Sequence, residues 1–325
     1  MVDLSRLTVV LVLTAGLYFA AAVFVLHLAA RWGWRRLAVR PATAPPPARS
    51  RMVRAGRWVR GSVLVLAAAG LVGMAWARLI EPRWPAVEHV RIVTTKLPAG
   101  ARPLRLVLLA DLHSDPEARL EPRLPGLVAE LKPDAIIFAG DAINCEAGLP
   151  HFRECMARLA ALAPVYAVRG NWETWWFPHV DLYRGTGVRL LEGEAAGIPA
   201  AAGRIWVAGC GVDHEERIPA ALARVPGGSF AVLVHHFPEA AAAALDGGAD
   251  LALAGDTHGG QVRLPLLGAL VRLSRFGSYH DVGLHRLGAG WLYVSRGLGT
   301  EGGRAPRVRF RCRPEITLIE IAAEP

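Results

Sequence analysis

Carboxylate, imidazole and carboxamide side chains recur in short clusters between residues 111 and 258. They are Asp111-x-His113, Gly140-Asp141, Gly170-Asn171-Trp172-Glu173, His235-His236-x-Pro238 and Gly255-Asp256-Thr257-His258. These groups supply the oxygen and nitrogen donors that hold divalent cations. Taken singly, each reads as an ordinary turn or capping residue. Taken together they read as a metal site, because one cation needs several such donors and a chain delivers them from several loops.

The elements that must position them are visible as apolar runs. LRLVLLA leads into Asp111, AIIFAG into Asp141, VYAVRG into Asn171, FAVLV into His235 and LALAG into Asp256. A sixth run, IWVAG, ends near Asp213 and His214. A continuous apolar run of this length, bounded by turn residues, reads as a strand buried on both faces. Loops beyond the carboxyl ends of such strands line the binding crevice of an open α/β sheet. The expected layout is a sheet rim that receives an Asp, His or Asn from strand after strand.

In this order the clusters resemble the calcineurin-like metallophosphoesterase superfamily. The likeness extends to its membrane-associated bacterial branch, which shares Gly259-Gly260-Gln261 and the later Ser295-Arg296-Gly297-Leu298-Gly299. It covers about residues 90–322. The resemblance implies a four-layer α/β/β/α sandwich with two central sheets and two divalent metal ions on loops at one edge. By the same resemblance Asp111, His113 and His258 hold the first ion, Asn171, His236 and Asp256 the second, and Asp141 bridges them. The His-x-Pro pattern makes His236, rather than His235, the ligand. Two ions ~3.5–4 Å apart acidify a bridging water and clamp the phosphate for in-line attack on phosphorus.

Two positions depart from the family pattern. Trp172 stands where the family writes a His that is assigned to leaving-group protonation or phosphate contact. An indole N–H donates a hydrogen bond but cannot deliver a proton. General acid catalysis is typically worth ~10²–10⁴-fold, so His235, a metal-bound water or a leaving group that needs no proton must take its place. Asp256 stands where a His is usual. The extra carboxylate makes the second site richer in oxygen and moves its preference toward Mn²⁺, with Mg²⁺, Fe and Zn²⁺ as alternatives. Glu173 reads as a group that orients Asn171 or caps a helix. Arg296 reads as a phosphate contact or a structural arginine. Trp172, Trp175, Trp176 and Phe177 read as helix packing or as an apolar wall for an acyl chain.

The chain of 325 residues is 53% apolar with a mean hydropathy of +0.29, which calls for a membrane segment beside a globular domain. The expected organisation is a membrane anchor over 1–85, with helices at about 7–30 and 60–80, and a metallophosphoesterase domain over 86–325. Residues 7–30 are long enough to cross a bilayer, and the leading MVDLSR lacks the net positive charge of a cleaved signal peptide. PATAPPPARS breaks helical structure, so the segment between the spans reads as a loop. Its nine arginines, from Arg31 to Arg60, equal the net charge of +9. The rest of the chain is close to neutral, which argues against a nucleic-acid footprint. The positive-inside rule makes that loop cytoplasmic and places the domain on the periplasmic face of an inner membrane. Cys145, Cys155, Cys210 and Cys312 show no CxxC pair, though Cys145 and Cys155 are close enough in sequence to approach one another.

The expected activity is hydrolysis of a phosphodiester or pyrophosphate, on an amphiphilic substrate beside the bilayer, by the metal-bridging hydroxide. Two alternatives stand beside it. One is a UDP-diacylglucosamine pyrophosphatase-like lipid enzyme, which requires a cytoplasmic site. The other is a non-catalytic, metal-stabilised membrane scaffold, which Trp172 favours.

Overall fold

In the computed structural model, which describes residues 47–201, 204–264, 266, 268–269, 282–302 and 307–324, all six apolar runs are strands. They are β2 (Leu104–Leu109), β3 (Ala135–Phe138), β4 (Val165–Ala167), β7 (Ile205–Gly209), β8 (Phe230–Val234) and β9 (Leu251–Ala254). The remaining strands are β1 (Ala86–Thr94), β5 (Arg189–Leu190), β6 (Glu194–Gly197), β12 (Gly283–Leu287), β13 (Gly290–Val294) and β14 (Glu315–Ala323). A small antiparallel ribbon joins β10 (Arg263–Leu264) to β11 (Gly268–Ala269).

Two sheets result, ordered β1-β14-β2-β3-β4-β5 and β12-β13-β9-β8-β7-β6. Strands β2 to β5 run parallel in the first, and β13, β9, β8 and β7 run parallel in the second. All five loops that carry the candidate ligands therefore leave the carboxyl ends of parallel strands.

Side-chain alternation explains the layering, because successive residues of a strand face opposite sides. Leu106 and Leu108 of β2 share one buried cluster with Val232 and Val234 of β8 and with Leu251 and Leu253 of β9. That cluster is the interface between the two sheets. The intervening Val107 and Leu109 turn outward onto Leu124 and Val128 of α2 (Leu124–Glu130) and Phe152 and Met156 of α3 (Leu149–Ala160). On the far side, Ala231 and Leu233 meet Ile218 and Ala221 of α5 (Ile218–Leu222) and Ala244 of α6 (Pro238–Asp246). Helix, sheet, sheet, helix is the order of layers. A short helix, α4 (Asn171–Trp176), starts at the rim itself.

The chain divides into two compact units, Met1–Trp76 with Gly303–Pro306, and Ala77–Gly302 with Arg307–Pro325. The second begins upstream of the boundary expected at residue 86. In the first, α1 spans Pro47–Leu79, its last turn crossing into the second unit. This corrects the expected loop between the spans over residues 47–59, which are helical; the part of that segment before residue 47 lies outside the described residues. Pro47 sits at the helix start, where its missing N–H costs nothing, and no further proline follows until Pro82. Among the described residues, one helical stretch, Gly56–Arg83, is long and apolar enough to cross a membrane. The span expected at 7–30 lies outside the described residues. All four cysteines are free, so the approach of Cys145 to Cys155 makes no disulfide.

Candidate metal centre

Five of the residues with ligand-type side chains adopt a left-handed backbone: Asp111 (φ +52°), His113 (+46°), Asp141 (+58°), Asp256 (+68°) and His258 (+50°). Such angles are uncommon for residues with a Cβ, and each costs about 1–3 kcal/mol unless its surroundings impose it. Here the loops lock one another. His113 N donates to Asp141 O at 3.0 Å, Asp111 N to Gly140 O at 2.9 Å, and Gly299 N to Asp111 O at 2.6 Å. The two sheets are joined at the rim by Asp256 N, which donates to Asp111 Oδ1 at 3.0 Å. Close approach leaves no room for a side chain at Gly170, where a Cβ would lie 2.1 Å from Asp141 Oδ1.

These backbones gather two donor sets around one carboxylate. Donor atoms of Asp111, His113, Asp141 and His258 all lie within 4.8 Å of one another, and all four residues are buried. The Nε2 atoms of His113 and His258 are 3.1 Å apart, and His113 Nε2 is 3.3 Å from Asp141 Oδ2. The other oxygen of Asp141 belongs to the second set. It lies 3.4 Å from His236 Nε2, which is 2.9 Å from Asn171 Oδ1 and 3.7 Å from Asp256 Oδ1. His236 Nδ1 donates to Ala139 O at 2.8 Å, which turns the Nε2 lone pair toward these oxygens. With Nε2 unprotonated these atoms are all acceptors, a set that a cation between them would satisfy. Asp111 Oδ2 is buried without a hydrogen-bond partner. The buried cluster of Asp111, His113, Asp141 and His258 thus fits a divalent ion, and His236, Asn171 and Asp256 lie against the other oxygen of Asp141.

The electrostatics agree. Burial pushes Asp111 up to about 7, opposed by His236 and reinforced by Asp141. Burial likewise pushes Asp256 up to about 6. Asp141 goes the other way: His236 and His113 outweigh its burial and hold it well below the usual carboxylate range. His258 is held well below the ordinary imidazole value by burial, then by His113 and Arg309. Against their burial, Asp141 also lifts His113 and His236 above the ordinary imidazole value, so Asp111, Asp256, His113 and His236, acting as ligands, would each release a proton on binding a cation. Apparent Mn²⁺ affinity should therefore rise as pH increases through 6 and 7 and go on rising above 7 as His236 loses its proton. Calorimetry in buffers of different ionisation enthalpy measures the protons released; a pH-independent affinity would contradict the assignment.

Around the centre, Glu173 is fully buried and accepts hydrogen bonds from Asp141 N at 3.1 Å, Gly170 N at 2.6 Å and Ala142 N. It both caps α4 and ties the loop after β3 to the loop after β4. Trp172 gives its backbone N–H to Asp141 Oδ1 at 3.1 Å, and its ring meets His113 edge-on with centroids 5.2 Å apart. Trp175 and Trp176, on the same short helix, are exposed, so they are not packed under it.

Two expected residues do not join the centre. His235 is buried on the other side of its strand end, with Nδ1 accepting from Phe237 N at 3.1 Å and Nε2 3.4 Å from Glu215 Oε1. Adjacent residues leaving β8 turn to opposite sides, so His235 faces Glu215 and Phe237 while His236 faces Asp141 and Asn171. Arg296 is held by Glu315 and Glu88, which occupy its guanidinium. Sequence reasoning missed Asn144, which donates to His113 O at 2.9 Å, and Arg309. Arg309 is fully buried and donates to Gly299 O at 2.7 Å and Arg296 O at 2.9 Å, with Nη2 3.5 Å from His258 Nδ1. Its RVRFRCR setting contains arginines of every environment and carries no distinguishing signal.

Comparison with known proteins agrees with this geometry. Residues 104–260 match the calcineurin-like phosphoesterase family model. The chain is 28% identical over 294 residues to phosphodiesterase YaeI of Escherichia coli, covering 83% of this chain and all of that one. It is 27% identical over 283 residues to the uncharacterized metallophosphoesterase YkuE of Bacillus subtilis, covering 82% and 96%. A Danio rerio transmembrane protein with metallophosphoesterase domain is 31% identical over 285 residues, 78% of this chain and 60% of that one. The buried cluster of Asp111, His113, Asp141 and His258 is thus the metal-binding site of a phosphoester hydrolase, and the chain belongs to the calcineurin-like metallophosphoesterases.

Proposed function

We propose that this protein is a membrane-anchored phosphodiesterase with a two-metal site that favours Mn²⁺, acting on amphiphilic phosphodiesters or pyrophosphates. The observation that carries the two-metal reading is Asp141, whose Oδ2 faces one donor set and Oδ1 the other. Asp111, His113 and His258 hold one ion; Asn171, His236 and Asp256 hold the second. When bound, the ions acidify a water and neutralise the phosphoryl oxygens. Asp256 in place of an imidazole supports the manganese preference, since hard oxygen donors suit Mn²⁺ over Zn²⁺. The naming of the E. coli relative as a phosphodiesterase supports a diester. The apolar stretch Gly56–Arg83 and the transmembrane naming of the Danio rerio relative support an anchor. Exposed Trp175 and Trp176 supply apolar surface beside the site.

The test is a screen of purified full-length protein with Mn²⁺ against mono- and diesters, nucleotide pyrophosphates and lipid phosphates. Turnover of diesters or pyrophosphates above monoesters is expected; turnover confined to monoesters would overturn the proposal. The domain is proposed to face the periplasm, and reporter fusions to the C-terminus read this directly. A cytoplasmic signal would point instead to a lipid pyrophosphatase of the UDP-diacylglucosamine type.

Trp172 makes a second measurement informative. Its ring stands against His113 but offers no transferable proton, so the enzyme should favour good leaving groups. Trp172→His is expected to speed hydrolysis of alkyl esters about 10²-fold while changing p-nitrophenyl esters little. An equal effect on both ester types would remove the missing-acid argument.

A further inference from the structure

We infer that Arg78, Arg83, Arg123 and Arg313, with Trp84, form a collar that binds anionic phospholipid headgroups where α1 leaves the bilayer. The inference rests on the membrane-anchored reading above. The apolar run ends at Leu79-Ile80, both exposed. A helix leaving hydrocarbon at that point brings the residues that follow to headgroup depth. Arg78 and Arg83 are in this turn, and the chain folds Arg123 and Arg313 against it.

What sets these arginines apart is their partners. Arg78 Nη1 donates to Arg307 O at 2.9 Å, Arg83 Nη1 to Leu79 O at 3.0 Å and Arg123 Nη1 to Arg83 O at 3.2 Å. Arg313 donates to Trp84 O at 2.9 Å and Pro85 O at 2.7 Å. Every acceptor is a backbone carbonyl, which fixes the guanidinium but does not neutralise it. Among the described residues, none of the four makes an ion pair. Elsewhere on the domain Arg102, Arg105, Arg189 and Arg296 each pair with an Asp or Glu. Nearby carboxylates are engaged: Glu81 accepts from Cys312 N at 2.5 Å, Glu121 from Arg119 N at 2.7 Å, and Asp115 pairs with Arg119 and Arg307.

A guanidinium has five N–H donors, so most remain for phosphate oxygens. Four fixed, uncompensated charges favour an anionic headgroup over a zwitterionic one. Arg313 also lies over the half-exposed Trp84 ring, 4.1 Å from its centroid, an amphipathic pair suited to the interface. The collar is close to the metal centre. Cys312, whose N–H meets Glu81, gives its Sγ–H to His258 O at 3.2 Å. A headgroup on the collar therefore lies near the ligand loops, which deepens the amphiphilic-substrate reading.

Native mass spectrometry of the full-length protein in detergent, titrated with dioleoylphosphatidylglycerol or dioleoylphosphatidylcholine, tests this without turnover. Failure of hydrolysis and failure of lipid binding are thus read separately. The wild type should bind the anionic lipid at least about tenfold more tightly. R83Q/R123Q/R313Q should reduce that preference to within about twofold, and R83K/R123K/R313K should keep it. Equal binding of both lipids by the wild type overturns the collar. So does a preference that survives the Gln variant, or one abolished instead by R49Q/R51Q/R54Q.

Discussion

Asp141→Asn should lower kcat/KM for bis-p-nitrophenyl phosphate by at least about 10³-fold, the largest loss expected from any single isosteric change here. The carboxamide keeps the shape of the side chain but not its charge. Asp141 Oδ2 lies 3.3 Å from His113 Nε2 and Oδ1 lies 3.4 Å from His236 Nε2, so one substitution damages both donor sets. An amide also turns one NH₂ toward a ring nitrogen that must remain a ligand. Asp256→Ala touches only the second set, at a side chain still 16% exposed, and should cost about 10–100-fold in metal affinity. The ordering separates a bridge from a terminal ligand. Metal analysis completes the measurement, with fewer than two ions expected in Asp141→Asn. Retention of both ions with a rate within tenfold of wild type would remove Asp141 from the bridging position.

The strands that carry this centre were legible because parallel strands buried on both faces are apolar at every position. FAVLV and LALA admit no amphipathic alternative of their length. Strand β14 shows what was not legible. It lies inside the first sheet, antiparallel to β2 and parallel to β1, yet comes from the end of the chain. Nothing local in EITLIEIAA sets that pairing, which depends on contacts far away in sequence. The left-handed backbone at Asp111, His113 and Asp141 was hidden for a similar reason. No glycine marks those positions, and the strain is imposed by loops from other strands. His235 and His236 were separable as a pair only by pattern, while the fold separates them by which side of β8's end each one faces.

Glu173→Gln should weaken metal binding about as much as Asp256→Ala, although Glu173 touches no candidate ligand side chain. Its carboxylate is fully buried and accepts from Asp141 N, Ala142 N and Gly170 N, joining two ligand loops through their backbones. Burial, then the charge of Asp141, push its pKa up, and the bonds from Ala142 and Gly170 oppose them. A Gln can accept through one oxygen only, so its NH₂ must face at least one backbone N–H. Leaving a buried donor unpaired costs about 1–3 kcal/mol. The resulting shift of the Asp141 loop should weaken metal binding about 10–100-fold, the scale typical of groups that orient a ligand. A structural role alone would lower the melting temperature and leave the metal affinity of the folded fraction intact. Calorimetric titration of the folded variant with Mn²⁺ separates the two, and an unchanged affinity would confine Glu173 to capping α4.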